Sequence, residues 1–549
     1  MAEYSCASLN DAGIPARVIE LPGLVSFPEA GRVDVLSGVD WSIEAWTSGH
    51  SCPTGQNGIT GTLIDLGSGA FADYQGHDVR GKIVLLELSY SPARQEKQRI
   101  AALKGAIGCV MMNWGHPENE ALPFGSVKPA WGNPTPDTLK NEMPTLPCVG
   151  ISRKDGLKLR DMLRQHSLEV RVQANVENGW RPVHLTTGEI SSPRSDDFVL
   201  FGGHQDSWPG EQATDNAAGS SCVLEIARAI NARRDELERG VVIGLWPGHE
   251  TGTMIGSTWF ADNNWDRLRR NAVAYFQIDQ PACLGTTLWK TSSSAELRSF
   301  HQEVEAPLLQ GRKALWRRAL KNGDRSFFGV GLPTLSGEGT YTDEELAKSA
   351  QATLGWWHHS IQNTYDKLDW DYMEVHLRIY ASYLWRLCTA KILPYDFTCS
   401  VADLEERLRE LAKVDPSLGL DATISEAAAL RTDAARLKKT TDQWAARYHA
   451  GHKEQAAADI LNNGMKMLSR RLVPIASSAI GAYGQDPYGY TPQTTVIPCL
   501  YDIATLASLD KSSEEYQTLR TQVLRARNRV ADALTDARAT IENTLKILT

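Results

Sequence analysis

Three acidic or imidazole side chains follow predicted strands in an arrangement suited to binding metal ions. His204, Glu250 and Asp279 each come shortly after a buried strand, and these strands cover 198–201, 241–245 and 272–276. Because α/β sheets bind ligands at the carboxyl ends of their strands, we expect the three side chains to meet. Asp215 lies in a small-residue turn before a predicted helix, and His359 lies in Trp357-His358-His359-Ser360. Two histidines and three carboxylates, with Asp215 able to bridge, would give each of two metals nitrogen and oxygen ligands and open positions for water.

Each of these signals alone has an ordinary explanation. A lone histidine is usually a hydrogen-bonded structural residue, and an aspartate before a helix is usually an N-cap. The metal hypothesis depends on the order of the five residues and on their positions at strand ends. Two divalent ions are therefore predicted, with zinc the usual occupant and manganese or cobalt compatible with the same ligands.

The segments that would position these residues have an alternating strand and helix pattern. From about Val183 to Pro394 the spacing indicates a parallel sheet, with a helix at 220–234 between the first two strands. A separate alternation, with strands at 82–88, 108–112 and 147–151, indicates a second compact domain. From Val401 onward the apolar spacing is helical, interrupted by a Tyr/Gly/Pro loop from Gly481 to Pro498.

These patterns predict an α/β fold with four parts. Residues 1–60 form an N-terminal segment joining the catalytic domain, 61–180 an inserted α+β or β-rich domain, 181–397 the catalytic domain and 398–549 an all-α domain. A chain of 549 residues is long enough for several cores.

Composition argues against several functions. The formal net charge of −9 disfavours nucleic-acid binding, which needs a basic face. No run of 18 apolar residues occurs, which predicts no membrane span. The N-terminus lacks signal-peptide features and the nine cysteines form no CxxC, so we expect a cytoplasmic protein with free thiols.

The motifs resemble those of the zinc-dependent exopeptidases that include bacterial aminopeptidases and the glutamate carboxypeptidase and transferrin-receptor group. The matching segments are Gly-Gly-His-x-Asp-Ser-Trp from 202, Asp-Asn-Ala-Ala-Gly from 215, Glu-Thr-Gly-x-x-x-Gly-Ser from 250, Ile-Asp at 278–279 and His-Ser-x-x-Asn-Thr-x-Asp from 359. The resemblance implies a zinc-exopeptidase mixed sheet flanked by helices. It implies that His204 and Asp279 bind one metal, that Glu250 and His359 bind the other, and that Asp215 bridges them. It also implies that Asp206 is the acid that orients the first histidine.

Two further segments are similar to other parts of this family. Residues 79–85 with 105–108 resemble the protease-associated domain, and 472–474 with 497–502 resemble the helical dimerisation domain. The second similarity implies a homodimer formed through the C-terminal helices.

The sequence departs from the family beside the ligands. Active members carry two consecutive glutamates, the first a general base, whereas here the pair is His249-Glu250. An imidazole with a pKa near 6.5 can accept a proton from water activated by metal, but it can also bind a metal directly, and loss of peptidase chemistry stays open. His358 replaces a tyrosine that stabilises the tetrahedral intermediate, and it is either an oxyanion donor or a bystander. Asn363 replaces an aspartate.

The predicted function is a dinuclear hydrolase cleaving the C–N bond of a small peptide or amide. Attack on a non-peptide C–N bond of a metabolite or xenobiotic is an alternative, as is a non-catalytic dimeric receptor-like protein. Trp208, Trp356 and Trp357 indicate either an aromatic wall near the ligands or ordinary core packing.

Overall fold

The computed structural model describes residues 1–38, 40–489 and 495–548, so part of the predicted 481–498 loop lies outside the described residues. The strands are β1 (Ala16–Pro28), β2 (Ala30–Val35), β3 (Trp41–Thr47), β4 (Ile59–Asp65), β5 (Ile83–Glu87), β6 (Gly108–Met112), β7 (Cys148–Ile151), β8 (Leu168–Gln173), β9 (Val176–Ile190), β10 (Phe198–His204), β11 (Gly240–Trp246), β12 (Ala272–Gln277), β13 (Leu288–Ser293), β14 (Ala314–Arg318) and β15 (Thr334–Thr340). The helices are α1 (Ala2–Asp11), α2 (Arg94–Leu103), α3 (Pro136–Asn141), α4 (Arg153–Leu163), α5 (Ala218–Asn231), α6 (Ile255–Asn263), α7 (Trp265–Asn271), α8 (Arg298–Glu305), α9 (Asp343–Lys348), α10 (Trp370–Thr389), α11 (Phe397–Val414), α12 (Asp421–His449), α13 (Gln455–Ser477), α14 (Ile503–Ser508) and α15 (Glu514–Ile547).

The larger sheet has eight strands in the order β1-β9-β11-β10-β12-β15-β13-β14. Its centre is parallel, because β10 pairs in parallel with both β11 and β12, and β12 pairs in parallel with β15. Every residue of β10, β11 and β12 is buried, as expected for strands covered on both faces, and this explains their unbroken apolar sequence. The predicted α/β class is confirmed, and the three central strands all end at the same edge of the sheet.

A smaller domain is a closed barrel of seven strands in the order β2-β3-β7-β6-β5-β4-β8. Its parallel strands β5, β6 and β7 are the three strands predicted from the sequence. β2 and β3 also belong to the barrel, so residues 30–47 of the predicted N-terminal segment lie in it. A long antiparallel ribbon of β1 and β9 connects the barrel to the edge of the larger sheet.

The C-terminal helices pack on one face of the catalytic domain. α11, α12, α13 and α15 contact one another, and their apolar side chains continue the core formed by α10 and the central strands. None of the helices in the described part of the chain combines the length and apolar character needed to cross a bilayer.

Candidate metal centre and active site

The five predicted ligands converge at the carboxyl edge of the central strands. His204 Nε2 lies 3.0 Å from Asp215 Oδ1 and 3.4 Å from Asp279 Oδ1. On the other side, His359 Nε2 lies 3.0 Å from Asp215 Oδ2 and 2.8 Å from Glu250 Oε1. Asp215 therefore lies between the two histidines, with one of its oxygens facing each ring.

The hydrogen bonding of this cluster fits metal ions. The Nδ1 atom of His204 lies 2.8 Å from the carbonyl oxygen of Asp206, and a carbonyl can only accept, so Nδ1 carries a proton and Nε2 is the atom directed at the carboxylates. Among the described residues, His204 Nε2, Asp215 Oδ2 and Asp279 Oδ1 are buried without a hydrogen-bond partner. Buried electron-pair donors that face one another are costly unless a proton or a metal cation lies between them, and the arrangement of these atoms fits a metal cation.

The charge state of Asp215 suits a bridging ligand. Burial disfavours its charged form, yet the imidazoles of His204 and His359 hold the pKa of Asp215 well below its ordinary value. Its carboxylate is ionised at neutral pH and can be shared between two cations.

The glycines before His204 allow the strands to approach closely. A side chain on Gly202 would collide with the carbonyl of Gly244, and one on Gly203 would meet the carbonyl of Ile278 at 2.5 Å. Asn216 donates to the same Ile278 carbonyl, and Ser220 donates to the carbonyl of His204 at 2.8 Å. The Gly-Gly-His and Asp-Asn-Ala-Ala-Gly segments thus bind the ligand loops to one another.

Non-glycine residues with left-handed backbone lie in each ligand loop. Gln212, Met254, Gln280 and His359 have φ angles of 47°, 63°, 52° and 54°. Such conformations cost about 1–3 kcal/mol each and persist where the surrounding structure enforces them, often at functional sites. The loops are therefore held in position by the fold.

The role predicted for the Asp206 side chain is wrong in one respect. Its backbone carbonyl, and not its carboxylate, contacts the ring of His204. The carboxylate instead accepts hydrogen bonds from the backbone N–H groups of His249, Glu250 and Thr251, at 2.9, 3.2 and 3.3 Å. The two oxygens thus hold the Glu250 loop against the His204 loop, because three N–H groups converge on one half-buried carboxylate.

His249 forms a hydrogen-bonded pair with a buried carboxylate that the sequence does not reveal. Its Nδ1 lies 2.8 Å from Asp324 Oδ2, and the Asp324 side chain is fully buried. Ser257 Oγ donates to the other Asp324 oxygen at 2.7 Å, which fixes the carboxylate. The His249 ring stacks on His204 with 3.8 Å between ring centroids. Burial and the neighbouring His204 oppose protonation of His249, but Asp324 outweighs them and raises its pKa to about 9.

His358 lies next to the bridging aspartate. Its Nδ1 is 3.3 Å from Asp215 Oδ2 and 3.0 Å from the side-chain amide nitrogen of Gln280. Burial and the adjacent His359 hold the pKa of His358 well below its ordinary value, so the ring is neutral. Because the Gln280 amide donates to Nδ1, the proton of His358 lies on Nε2, which can donate a hydrogen bond.

Asn363, which departs from the family pattern, supports the Asp215 loop. Its Oδ1 accepts from the backbone and hydroxyl of Thr214 at 3.1 and 3.0 Å. Its Nδ2 donates to Gln212 Oε1 at 3.2 Å, a bond that a carboxylate could not form. The asparagine is therefore matched to the glutamine opposite it.

The cluster opens into a cavity of about 340 Å³ between the barrel and the catalytic domain. The barrel contributes Arg94, whose guanidinium donates to the Phe124 carbonyl and lies 3.5 Å from His359 Nδ1. Trp114 and Tyr488 also line the cavity. Neither Arg94 nor Tyr488 gives a signal in the sequence, because each lies in a different domain from the ligands.

The three predicted aromatic residues do not form this lining within the described part of the chain. Trp208 is buried and contacts Phe124 and His359 at 6.2 and 6.1 Å between centroids, while Trp357 is buried outside the cavity. Trp356 packs on Trp357. Core packing accounts for Trp208 and Trp357, whereas Trp356 is half-buried.

The catalytic domain thus combines an α/β sheet with a parallel centre and a cluster of imidazole and carboxylate side chains at the carboxyl edge of that sheet. Residues 186–384 match the model of Peptidase family M28, and residues 59–159 match the model of the PA domain. The first match spans the segment that carries the five candidate ligands, and the second spans most of the barrel, in agreement with the motifs.

Curated relatives cover only part of the chain. Aminopeptidase YwaD of Bacillus subtilis (strain 168) is 26% identical over 252 residues, which are 44% of this chain and 48% of the relative. The probable glutamate carboxypeptidase VP8 of Zea mays is 26% identical over 243 residues, 40% of this chain and 32% of the relative. The chain therefore spans less than half the length of these relatives.

Solved structures share the fold at low identity. A Peptidase M28 precursor from Shewanella amazonensis SB2B superposes with a TM-score of 0.55 and 20% identity, covering 71% of this chain and 88% of the other. BSAP, a zinc aminopeptidase from Bacillus subtilis, gives a TM-score of 0.53 and 17% identity, covering 70% and 88%.

Proposed function

We propose that this protein is a dinuclear metal-dependent hydrolase that cleaves the C–N bond of a peptide or small amide, with His249 as the proton acceptor. The observation that carries the proposal is the convergence of the five candidate ligands, with Asp215 between the two histidines and buried polar atoms facing one another. The M28 family match and the relatives named as peptidases support peptide-bond hydrolysis as the reaction.

In this proposal His204 and Asp279 hold one ion, Glu250 and His359 hold the second, and Asp215 bridges them. The imidazole and carboxylate donors suit zinc, and manganese or cobalt would accept the same set. When bound, the ions supply Lewis acidity toward the substrate carbonyl and toward water.

His249 is suited to accept a proton because Asp324 fixes its tautomer. With the proton on Nδ1 directed at the Asp324 carboxylate, the lone pair of Nε2 is available to the cavity. Two divalent cations beside the ring lower its pKa from the value near 9, because like charges oppose protonation. A neutral imidazole is the form that acts as a base.

His358 is proposed to stabilise negative charge on the substrate oxygen. A neutral ring with its proton on Nε2 is a fixed hydrogen-bond donor, and such preoriented donors stabilise an oxyanion better than water does. The ring is buried and packs between His359 and Trp114, which keeps its direction constant.

A second candidate role for His249 is that of a metal ligand. One nitrogen of His249 lies within 4.8 Å of ligand atoms of His204 and Glu250, a spacing that could hold an ion. A non-peptide C–N bond as the target, and a non-catalytic receptor-like role, are the remaining alternatives.

The test combines metal analysis with a substrate screen. Zinc-loaded protein is incubated with peptides and small amides side by side. Turnover is compared for wild type, His249→Ala and the control His166→Ala, whose ring is exposed in the turn that follows α4. If His249→Ala loses turnover but retains two zinc ions, the result supports His249 as the proton acceptor. If it loses one of the ions, the result supports His249 as a metal ligand. Unchanged turnover in His249→Ala would remove His249 from the mechanism, and wild-type protein that retains well under one zinc per chain would favour the receptor-like alternative.

Dimerisation through the C-terminal helices and a cytoplasmic location stay predictions. The nine cysteines are free thiols in the structure. Light scattering on the purified chain measures the mass that decides between monomer and dimer.

A further inference from the structure

A chain of buried hydrogen bonds leads from the barrel to the carboxylate behind His249. It begins at Trp131, in the segment between β6 and α3, and passes through Ser326, in the loop between β14 and β15. Trp131 Nε1 donates to Ser326 Oγ at 2.8 Å, and Ser326 Oγ lies 2.9 Å from Ser257 Oγ. Ser257 Oγ in turn donates to Asp324 Oδ1 at 2.7 Å. We call Trp131, Ser326 and Ser257 the tryptophan–serine chain.

The direction of every bond in this chain is set by its two ends. An indole N–H can only donate, and an ionised carboxylate can only accept. The single proton of Ser257 is directed at Asp324, so the Ser257 oxygen must accept from Ser326. The oxygen of Ser326 then accepts from Trp131. Met254 offers Ser257 a second acceptor, but its carbonyl is uncharged and 3.4 Å away. The protons therefore all point from the barrel toward the carboxylate.

The members of the chain are shielded from water. Trp131 is 4% exposed, Ser326 1%, and Ser257 and Asp324 0%. Hydrogen bonds are stronger where water does not compete, and each bond in a series polarises the next. If the indole N–H is removed, the Ser326 hydroxyl loses its donor and is free to turn, so that the change is passed on to the next serine and to the carboxylate.

The barrel segment that carries Trp131 is docked on the catalytic domain beside the chain. Gly132 has a φ angle of 71°, and a side chain there would meet Thr258 on α6 at 2.6 Å, so glycine permits this close approach. Lys128 Nζ donates to the carbonyl oxygens of Gly132 and Gly252, each at 2.6 Å. The position of the indole is therefore set by the contact between the barrel and the catalytic domain.

The C-terminal helical domain reaches the same point through the loop that follows α13. The Tyr488 ring meets the Trp131 ring edge-on, with 5.5 Å between centroids, and Lys321 Nζ lies 4.1 Å from the centroid of the indole. Gln485 Nε2 donates to the carbonyl oxygen of Ser326 at 3.0 Å. The first two members of the chain are thus fixed by contacts from all three domains.

Trp131 is buried and lies outside the set of residues that line the active-site cavity, so it acts through other residues and not on a substrate. We infer that Trp131 is a positioning residue for His249 and acts on it through the two serines and Asp324. This inference rests on the proposed function, since His249 is the residue proposed to accept the proton. Its consequence is that the barrel must be docked for the His249 ring to be held in its working orientation.

A spectroscopic measurement tests this without turnover. Proton NMR of zinc-loaded protein with isotope-labelled histidine detects the ring N–H that His249 directs at Asp324, and His249→Ala assigns the signal by removing it. We expect the signal to shift in Trp131→Phe, which keeps an aromatic ring but lacks the N–H group. We expect a shift in Ser326→Ala as well, because this variant breaks the chain at its next member.

Kinetics provide the second measurement. Trp131→Phe should lower kcat about 3- to 10-fold, as expected for the loss of one buried hydrogen bond, with KM and zinc content nearly unchanged. In the Asp324→Asn background the same substitution should have no further effect, because the chain no longer ends at a carboxylate. The matched control is Trp316→Phe, which removes an indole N–H donated to Ser293 Oγ at 2.9 Å outside the chain. It should change neither the His249 signal nor kcat.

Any of four results overturns the inference. They are a His249 signal that stays in place in both chain variants, an equal fall of kcat on Trp131→Phe in the wild-type and Asp324→Asn backgrounds, a fall of the same size in Trp316→Phe, and failure of both chain variants to fold. The last result would show that the bonds serve the stability of the fold and not the orientation of His249.

The two measurements separate this inference from the proposed function. Hydrolysis by the wild type with an unchanged kcat in Trp131→Phe defeats this inference alone. A shifted His249 signal in a protein that hydrolyses none of the peptides or amides defeats the proposed function, and it leaves the tryptophan–serine chain as the device that orients His249.

Discussion

Replacement of Asp324 by asparagine should impair catalysis while leaving the metals bound. The carboxylate accepts from His249 Nδ1 at 2.8 Å and from Ser257 Oγ at 2.7 Å, and it is fully buried. Asparagine keeps the size, but it lacks the charge and can direct an N–H group at the imidazole. His249 would then carry its proton on Nε2, where it could no longer accept one.

The magnitude follows from the hydrogen bond that is lost. A bond to a buried charged group contributes about 1.5–3 kcal/mol, and each 1.4 kcal/mol is about a factor of ten. We therefore expect kcat to fall about 10- to 100-fold in Asp324→Asn, with KM changed much less, because the residue acts through His249 and not on the substrate.

The assay measures kcat, KM and zinc content on the best substrate of the panel. Asp266→Asn is the matched control, since Asp266 is an exposed carboxylate of the same domain, paired with Arg270 at 3.3 Å. The double variant Asp324→Asn/His249→Ala should have the same kcat as His249→Ala alone, because Asp324 acts only by orienting the His249 ring, which the double variant lacks. A folded, zinc-loaded Asp324→Asn protein with wild-type kcat would refute the reasoning.

Two further predictions concern the metals and the core. Plasma mass spectrometry should find about one zinc per chain in Asp279→Ala, because the ligands of the other ion remain. It should find less than one zinc per chain in Asp215→Ala, because the bridging ligand is lost. Equal loss of zinc in the two variants would contradict two separate sites. Glu305→Gln should lower the free energy of unfolding by about 2 kcal/mol, because Glu305 Oε2 accepts from Trp289, Thr291, His301 and Tyr383 inside the core. Although burial opposes ionisation, His301 lowers the pKa of Glu305, so this stabilisation is present above the ordinary carboxyl pKa and is lost as pH falls through the lowered value. Urea unfolding at several pH values measures this contribution to the free energy of unfolding. Glu303→Gln, an exposed substitution on the same helix, is the control. Equal effects of the two variants would show that the buried hydrogen bonds of Glu305 contribute nothing.

The convergence of the candidate metal ligands can be predicted from the sequence because most of them follow local rules. His204, Glu250 and Asp279 come just after buried strands that the apolar pattern reveals, and parallel strands bring their carboxyl ends together. His359 has no such strand before it, and only its motif, His-Ser-x-x-Asn-Thr-x-Asp, indicates its place. The barrel strands from 82 to 151 are equally visible in their apolar runs.

The residues around the cluster cannot be predicted by the same means. Asp324 is 75 positions from His249, in a loop whose sequence shows no periodicity or motif that points to the site. The carboxylate of Asp206 is assigned to the wrong partner from sequence because spacing along a chain does not distinguish a side chain from its own carbonyl. Lys290 and Arg317 line the cavity from edge strands β13 and β14, and the apolar pattern of the sequence does not reveal that these strands pair beside the site.

The charge arrangement around His249 leads to a final prediction about the missing glutamate. Active members of the family that the motifs resemble carry a glutamate where this chain has His249, and here Asp324 supplies a negative charge behind the imidazole. A neutral imidazole with an ionised Asp324 has the same net charge as a single glutamate. His249→Glu alone would therefore place two carboxylates in contact in a buried site, where one must take up a proton or move away.

His249→Glu should consequently be a poor enzyme unless Asp324 is neutralised as well. We expect His249→Glu combined with Asp324→Asn to exceed His249→Glu in kcat by about tenfold, since repulsion between the carboxylates is removed, although Asp324→Asn lowers kcat in the wild-type background. A substitution that lowers kcat in the wild-type background but raises it in the His249→Glu background indicates a specific interaction between the two positions, because general damage to the fold would lower kcat in both. If His249→Glu alone is as active as the double variant, Asp324 does not interact with the side chain at position 249 during catalysis.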